Sequence, residues 1–243
     1  MKKNISIILL GVAALCACTK KVAFSPDTAT LYAGDSIQMS VKNAAATPKL
    51  LSENAFVASV GATTGWVKAK HVGETNIYCD YDANSTAAEN IAKCHVTVQP
   101  RYTYYTEPIT DWKMTRAELV ARLGNPTMEP GEMLVFGDIQ KDEYIMVYYL
   151  IEDHIVQAYM AHKSLKMSEA RAFLSERYAE VPEEDGSVYM NAESEDDATM
   201  YVTVEEGVAG SIGRLLLVTY TCADEDAVNS PAARACLRSV IGE

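Results

Sequence analysis

The residues best suited to catalysis or metal binding are few and widely spaced in this 243-residue chain. Of its four histidines, His71 and His95 fall in a predicted sandwich within the first 100 residues, whereas His154 falls in a predicted hairpin turn and His162 at the far end of the strand that follows it. At roughly 3.3 Å per residue these last two lie roughly 26 Å apart, too far to share one metal ion. The sequence contains neither a nucleophile elbow nor a serine–lysine box. We therefore predict no enzyme activity and no cofactor, and a hydrolase with a triad assembled from distant residues stays as an alternative.

Acidic side chains offer one further candidate for metal chemistry. The segment DYDANS places Asp80, Asp82 and Asn84 at the spacing of a calcium loop. Ser85 replaces the glycine of such loops, and Ile91 stands where a bidentate carboxylate is needed. We interpret this segment as a turn, and the acidic runs PEEDGS, ESEDDAT and ADEDAVNS as solvated loops between elements, with weak binding of a divalent cation by these loops as the alternative.

Aromatic side chains are dense in the segment RYTYYTEPITDW, which carries Tyr102, Tyr104, Tyr105 and Trp112. Such a cluster forms either a stacking surface for a glycan or a linker that packs on a core. Both interpretations stay open, and these four residues are the candidate glycan contacts.

Charge separates the chain into two parts. The whole chain has a net charge of −12, which argues against a nucleic-acid partner. Residues 19–100 carry seven acidic and seven basic side chains, whereas residues 101–243 carry 26 acidic and 12 basic ones, a net charge of −14. This asymmetry indicates two domains with different surfaces.

The first 18 residues have the pattern of a secretory signal, with Lys2 and Lys3 before a short apolar run. Leu15, Cys16, Ala17 and Cys18 resemble the lipobox of bacterial lipoproteins. The resemblance implies a signal peptide at 1–17, lipidation of Cys18, and a lipid-anchored tether at 18–21. It also implies attachment to the outer membrane, with the periplasmic or surface face undecided. Cleavage near Ala17 without lipidation is the alternative.

Four cysteines remain after this segment: Cys79, Cys94, Cys222 and Cys236. An exported protein meets oxidising conditions, so an even number predicts disulfides. Pairing within each domain, Cys79 with Cys94 and Cys222 with Cys236, is the simplest of three connectivities.

Residues 22–100 are rich in short alternating runs separated by glycines. Strands are predicted at TATLYAG, DSIQMSV, FVASV, GWVKAK, TNIYCDYD and KCHVTVQ. Six or seven short strands with regular turns indicate a small antiparallel sandwich. The order of VAFSPDTATLYAGDSIQMSV, SENAFVASV, GWVKAKHVGETNI and CHVTV resembles the group 2 bacterial immunoglobulin-like domain, although Leu51 stands where that family often has Trp. The resemblance implies a domain used in adhesins and as a spacer in envelope proteins.

Residues 101–243 are predicted to form an acidic α+β domain. In MTRAELVARLGNP, Thr115 and Glu118 form a capping box, and Gly124 ends the helix. Strands follow at MLVFG, EYIMVYYLI and IVQAYMA, the last two joined by a turn at EDH, and a second helix at MSEARAFLSERY begins at Ser168. A helix at SPAARACLRSVI ends the chain.

The same order of elements then repeats at an offset of 53 residues. Tyr148 aligns with Tyr201, and the turn acids Glu152 and Asp153 align with Glu205 and Glu206. We predict tandem helix-plus-three-strand repeats near 114–154 and 167–207. The helix motif and strand order resemble the SmpA outer-membrane assembly accessory and the beta-lactamase inhibitor proteins, without carrying over functional residues.

The sequence therefore predicts a multidomain protein, an immunoglobulin-like sandwich followed by an α+β domain of two repeats. Its expected function is non-enzymatic: a lipid-anchored cell-envelope protein in which the sandwich is a spacer and the second domain binds a protein or glycan in adhesion. A structural accessory of outer-membrane assembly is the alternative.

Overall fold

The computed structural model describes residues 22–44, 48–80, 92–183, 186–209 and 213–223. Several sequence predictions fall outside them: the signal peptide, Cys18 and its tether, most of DYDANS, most of ADEDAVNS, the C-terminal helix and Cys236.

The described residues of the first domain form nine strands in three small sheets. The strands are β1 (Ala23–Ser25), β2 (Thr28–Tyr32), β3 (Ser36–Gln38), β4 (Ser40–Lys42), β5 (Lys49–Ser52), β6 (Ala58–Val60), β7 (Trp66–Ala69), β8 (Gly73–Asp80) and β9 (Lys93–Gln99). A four-stranded sheet has the order β2-β9-β8-β5, a three-stranded sheet the order β3-β7-β6, and β1 pairs with β4. One pair, β2 with β9, is parallel, so the sandwich is not purely antiparallel as predicted.

The two larger sheets share one apolar core. Val96 and Val98 of β9 and Ile77 of β8 pack with Val67 and Ala69 of β7, and all five are at most 1% exposed. Their every-second-residue spacing turns alternate side chains inward, which is why short alternating runs form these strands. The result is a sandwich of two sheets.

A glycine allows the closest backbone contact of this domain. Gly65 has φ +71°, and a Cβ at this position would lie 2.2 Å from the carbonyl oxygen of Met39. The Met39 amide donates to the Gly65 carbonyl at 2.8 Å. This bond interrupts the predicted strand DSIQMSV at Met39, so β3 and β4 join different sheets.

The described part of the second domain is one sheet of seven strands with two α-helices. Its elements are α1 (Arg116–Leu123), β10 (Met133–Phe136), β11 (Tyr144–Ile151), β12 (His154–His162), α2 (Met167–Ser175), β13 (Ala179–Glu183), β14 (Gly186–Met190), β15 (Met200–Ala209) and β16 (Gly213–Cys222). The order is β10-β11-β12-β16-β15-β14-β13, and every neighbouring pair is antiparallel.

The prediction of an α+β domain built from two helix-plus-three-strand repeats is wrong. Among the described residues, 50% lie in strands and 11% in helices, so this part of the chain is mostly β-sheet. Four strands, not three, follow α2 in the described residues, and all strands of this domain share one sheet. A three-strand unit would leave β12 as an open edge, and pairing β12 with β16 removes that edge.

The register assumed for the repeat is also wrong. Glu205 and Glu206, predicted as a turn, lie inside β15, which continues to Ala209. The second helix begins at Met167, with Lys166 rather than Ser168 as its N-cap.

Both faces of the seven-stranded sheet are buried. On one face Leu134, Tyr148 and Tyr220 pack with Leu119 of α1 and Phe173 of α2, and we call this cluster the helix-side core. On the other face a separate buried cluster contains Met133, Val135, Ile145, Val147, Tyr159, Ala161, Leu215 and Leu217. Burial on both faces explains why β11 and β16 are nearly continuous apolar runs.

Candidate functional site

The structure separates the four predicted glycan contacts. Tyr105 is 7% exposed and belongs to the helix-side core, and Trp112 packs partly buried against that core. Tyr104 is 41% exposed. The rings of Tyr102 and Tyr104 stack with centroids 5.6 Å apart and an interplanar angle of 13°. Two of the four residues therefore form a stacked pair that reaches solvent, and the other two are structural.

A second exposed aromatic lies where the sandwich meets this segment. The Arg101 guanidinium lies 4.5 Å from the centroid of the Tyr32 ring and donates to Asp35 at 2.9 Å. Tyr32 ends β2 beside the last residue of β9 and is 40% exposed. We call Tyr32, Arg101, Tyr102 and Tyr104 the junction surface.

A buried carboxylate fixes the backbone of the junction surface. Glu176, directly after α2, accepts hydrogen bonds from the amides of Arg101 (2.9 Å) and Tyr102 (3.0 Å). It also accepts one from Arg177 at 2.5 Å, and its side chain is 5% exposed. We call the segment RYTYYTEPITDW, which joins the two domains, the linker. Because charged acceptors give the stronger hydrogen bonds, Glu176 holds the linker in one conformation.

Arg177 connects this carboxylate to the rest of the linker. Its guanidinium donates to the carbonyls of Phe173 and Tyr102, both at 3.0 Å, and lies 3.3 Å from the Glu107 carboxylate. It also lies 3.5 Å from the centroid of the Phe173 ring. One side chain thus joins α2 to two points of the linker.

Three tyrosines complete the network. Glu107 accepts from the hydroxyls of Tyr178 (2.5 Å) and Tyr220 (3.3 Å), and the Tyr220 and Tyr105 hydroxyls lie 3.0 Å apart. Burial raises the pKa of all three tyrosines, Tyr105, Tyr178 and Tyr220, well above the usual range. For Tyr178 the negative charge of Glu107 is the second cause of the raised pKa. These hydroxyls stay protonated at physiological pH, so the network supplies hydrogen-bond donors and no nucleophile.

The sandwich is attached to the second domain beside this network. The Val72 amide donates to the Glu176 carbonyl at 2.7 Å, and Lys70 forms an ion pair with Glu193 at 2.8 Å. His71 between them stacks on Phe56 at 4.2 Å, and burial lowers its pKa. The turn between β7 and β8 therefore rests on the end of α2.

Sequence reasoning missed Glu107, Glu176 and Arg177. The sequence gives little indication of their role, because charged residues in a linker or after a helix are usually solvated. Tyr178, which lies beyond the end of α2, packs against the helix-side core.

The predicted disulfide between Cys79 and Cys94 is not present. The register places Ile77 opposite Cys94, so Cys79 is a diagonal neighbour of Cys94. Diagonal pairs are about 7–8 Å apart, beyond the usual Cα separation of a disulfide. Burial, the largest cause, raises the pKa of the Cys94 thiol to about 11, so this thiol is not activated. Cys222 is a buried thiol, and its predicted partner Cys236 lies outside the described residues.

The predicted separation of His154 and His162 is confirmed, because they lie at opposite ends of β12; His154 is the first residue of this strand rather than part of the turn. Within the described ranges no group of three or more His, Cys, Asp or Glu side chains is arranged to hold a metal ion. The helices described are also too short or too polar to cross a membrane.

No protein-family model matches the chain, and a search of curated proteins found no significant match.

Proposed function

We propose that this protein is a non-enzymatic binding protein of the bacterial cell envelope that recognises a glycan at its junction surface. The observation that carries the proposal is the stacked pair of Tyr102 and Tyr104, with Tyr104 41% exposed. Exposed aromatic rings in a fixed orientation offer an apolar face for a sugar ring and lose little side-chain entropy on binding.

The polar groups beside the tyrosines suit the same ligand. Arg101 and Asp35 are 46% and 43% exposed in their side chains and already form an ion pair, so they present donors and acceptors to sugar hydroxyls. Glu176 and Arg177 hold the linker backbone in place, which lowers the entropic cost of binding.

The remaining parts of the proposal come from the sequence. The lipobox-like segment supports lipidation of Cys18 and attachment to the outer membrane. The order of motifs in residues 22–100 supports a group 2 immunoglobulin-like spacer that holds the junction surface away from the membrane. Mass spectrometry of the mature protein tests the anchor, and an unlipidated Cys18 contradicts it.

Binding of the full chain to a glycan array tests the junction surface. We expect Tyr104→Ala to weaken binding by about tenfold, the scale of a lost aromatic contact. Trp66→Ala is the matched control, because Trp66 is 53% exposed on the other sheet of the sandwich.

Equal binding by wild type and Tyr104→Ala, or no glycan bound at all, contradicts the proposal. Capture of a surface protein through Tyr104 in the absence of any glycan would replace the glycan by a protein partner.

A further inference from the structure

A small cavity with a basic lining lies at the far end of the second domain's sheet, away from the residues of the junction surface. Its volume is about 230 Å³, and it is lined by the segment between β12 and α2 and by the start of β16. The lining residues are Lys163, Ser164, Leu165, Lys166, Arg214 and Leu216.

The charge of this cavity is opposite to that of its domain. Residues 101–243 contain 12 basic side chains, and three of them, Lys163, Lys166 and Arg214, line this one cavity. Arg214 forms an ion pair with Glu206. Neither lysine forms an ion pair with any residue that the structure describes. The Lys163 charge is partly balanced, because Lys163 is among the causes, after the hydrogen bond from Ser164, that lower the pKa of the Glu143 carboxyl. Lys166 adds a positive charge with no ion-pair partner among the described residues, so the cavity attracts an anion.

The start of α2 adds to this positive potential. Lys166 is the N-cap of the nine-residue helix and has no side-chain acceptor, so only half of a capping box forms, from the Lys166 amide to Glu169 at 3.0 Å. Amides of the first turn and the helix dipole favour negative charge at this end.

The lining is held in place before any ligand arrives. The amides of Ser164 and Leu165 donate to Nδ1 of the buried His162 at 3.3 Å and 3.1 Å. The Ser164 hydroxyl bonds to Glu143, which keeps that carboxylate engaged outside the cavity lining. Leu216, 3% exposed, is a fixed apolar wall.

We propose that this cavity binds a phosphate group. Its volume suits a single acidic group rather than an oligosaccharide, since pockets for larger ligands are roughly 300–1,000 Å³. Two lysines match a dianion better than a single carboxylate, and lysines commonly bind phosphate as point charges. The group belongs either to free phosphate or to a phosphate ester such as a lipid headgroup.

Isothermal titration calorimetry of the full chain, purified in detergent, tests the site with inorganic phosphate, glycerol phosphate and acetate. We expect saturable binding of at least one phosphate compound and weaker binding of acetate. Lys163→Gln and Lys166→Gln should each weaken binding by about tenfold, the scale of one hydrogen bond to a charged group. Lys113→Gln is the matched control, since Lys113 is exposed in the same domain and outside the cavity.

Tighter binding of inorganic phosphate assigns the site to the free ion, and tighter binding of glycerol phosphate assigns it to an ester. The proposal is overturned by the absence of saturable phosphate binding, by equal losses in Lys113→Gln and the two cavity variants, or by tighter binding of acetate. None of these outcomes depends on Tyr104, so the site stands or falls separately from the glycan proposal.

Discussion

The two domains differ in what they bury. Among the described residues of the sandwich, Thr75 is the buried polar side chain, and the core is otherwise apolar side chains and two thiols. The second domain buries Gln157, His162 and Glu176, each with hydrogen-bond partners, besides its tyrosine network. An apolar core tolerates substitutions of similar volume, whereas a buried polar group needs its own partner. The detailed geometry of the second domain is therefore set by specific buried hydrogen bonds, and both proposed binding sites depend on this geometry.

The largest expected effect comes from removing the carboxylate at the junction. Glu176→Ala leaves two linker amides without their acceptor and removes one of the two carboxylates that Arg177 contacts, so the free energy of unfolding should fall by about 3–5 kcal/mol. Denaturant unfolding measures this change. Glu195→Ala, at an exposed position in the same domain, should change it by less than about 0.5 kcal/mol. Similar small effects in both variants would show that the buried network does not stabilise the domain.

Smaller effects are expected from matched core substitutions in the two domains. Ile77 and Ile155 are both 0% exposed, one in each domain. Ile77→Val and Ile155→Val should each lower the free energy of unfolding by about 0.5–1.5 kcal/mol. Because Val72, Lys70 and the linker join the domains, we expect both variants to shift one common unfolding transition.

Calorimetry distinguishes this result from the alternative. Two separate transitions, each moved by one variant only, would mean that the domains unfold independently. Glu176→Ala should produce that separation, since it removes the contacts of the linker.

A still smaller effect is expected on how the free energy of unfolding depends on pH. His162 accepts two amide hydrogen bonds at Nδ1, and burial, the main cause, lowers its pKa against the opposing influence of Glu143 and Glu169; Lys163 lowers it further. Its ring stacks on Tyr144. Glu143 lies 3.8 Å from Nδ1 but forms no ion pair with a neutral ring whose Nδ1 is already an acceptor.

The sign of the pH effect follows from this lowered pKa. Below about pH 6.5 the unfolded chain binds a proton at this histidine before the folded chain does, so stability is present above that pH and falls below it. In His162→Asn the Oδ1 atom replaces Nδ1 as acceptor without titrating. Denaturant unfolding at several pH values should show a shallower acid decline for this variant than for wild type and for the exposed control His154→Asn. Equal slopes in all three proteins would exclude His162 as the cause.

The sequence predicts local features of the second domain well. The capping box of Thr115 and Glu118, the end of α1 at Gly124, and the hairpin turn at Glu152 and Asp153, both with positive φ, are confirmed. Each depends on residues within a few positions of one another, where the chemistry of single side chains decides the backbone.

Features that depend on distant residues were not predictable in this way. Glu107, Glu176 and Tyr220 meet from the linker, the end of a helix and the last described strand. The partners of individual strands were missed for the same reason. Alternating apolar and polar residues indicate a strand and its buried face, but they do not identify the neighbouring strand. The false repeat shows the limit: equal spacing of similar residues matched β11 with β15, but β15 runs through the predicted turn.

The parallel pairing of β2 with β9 has a mechanical consequence. The chain enters β2 at Thr28, beside His95, and leaves β9 at Gln99, beside Tyr32, on the way to the second domain. A pull between the N-terminal segment and the second domain therefore draws these two strands in opposite directions along their length. Their hydrogen bonds are loaded in shear and must break together, whereas antiparallel neighbours pulled from one end open one bond at a time. The sandwich therefore resists tension applied between the N-terminal segment and the second domain.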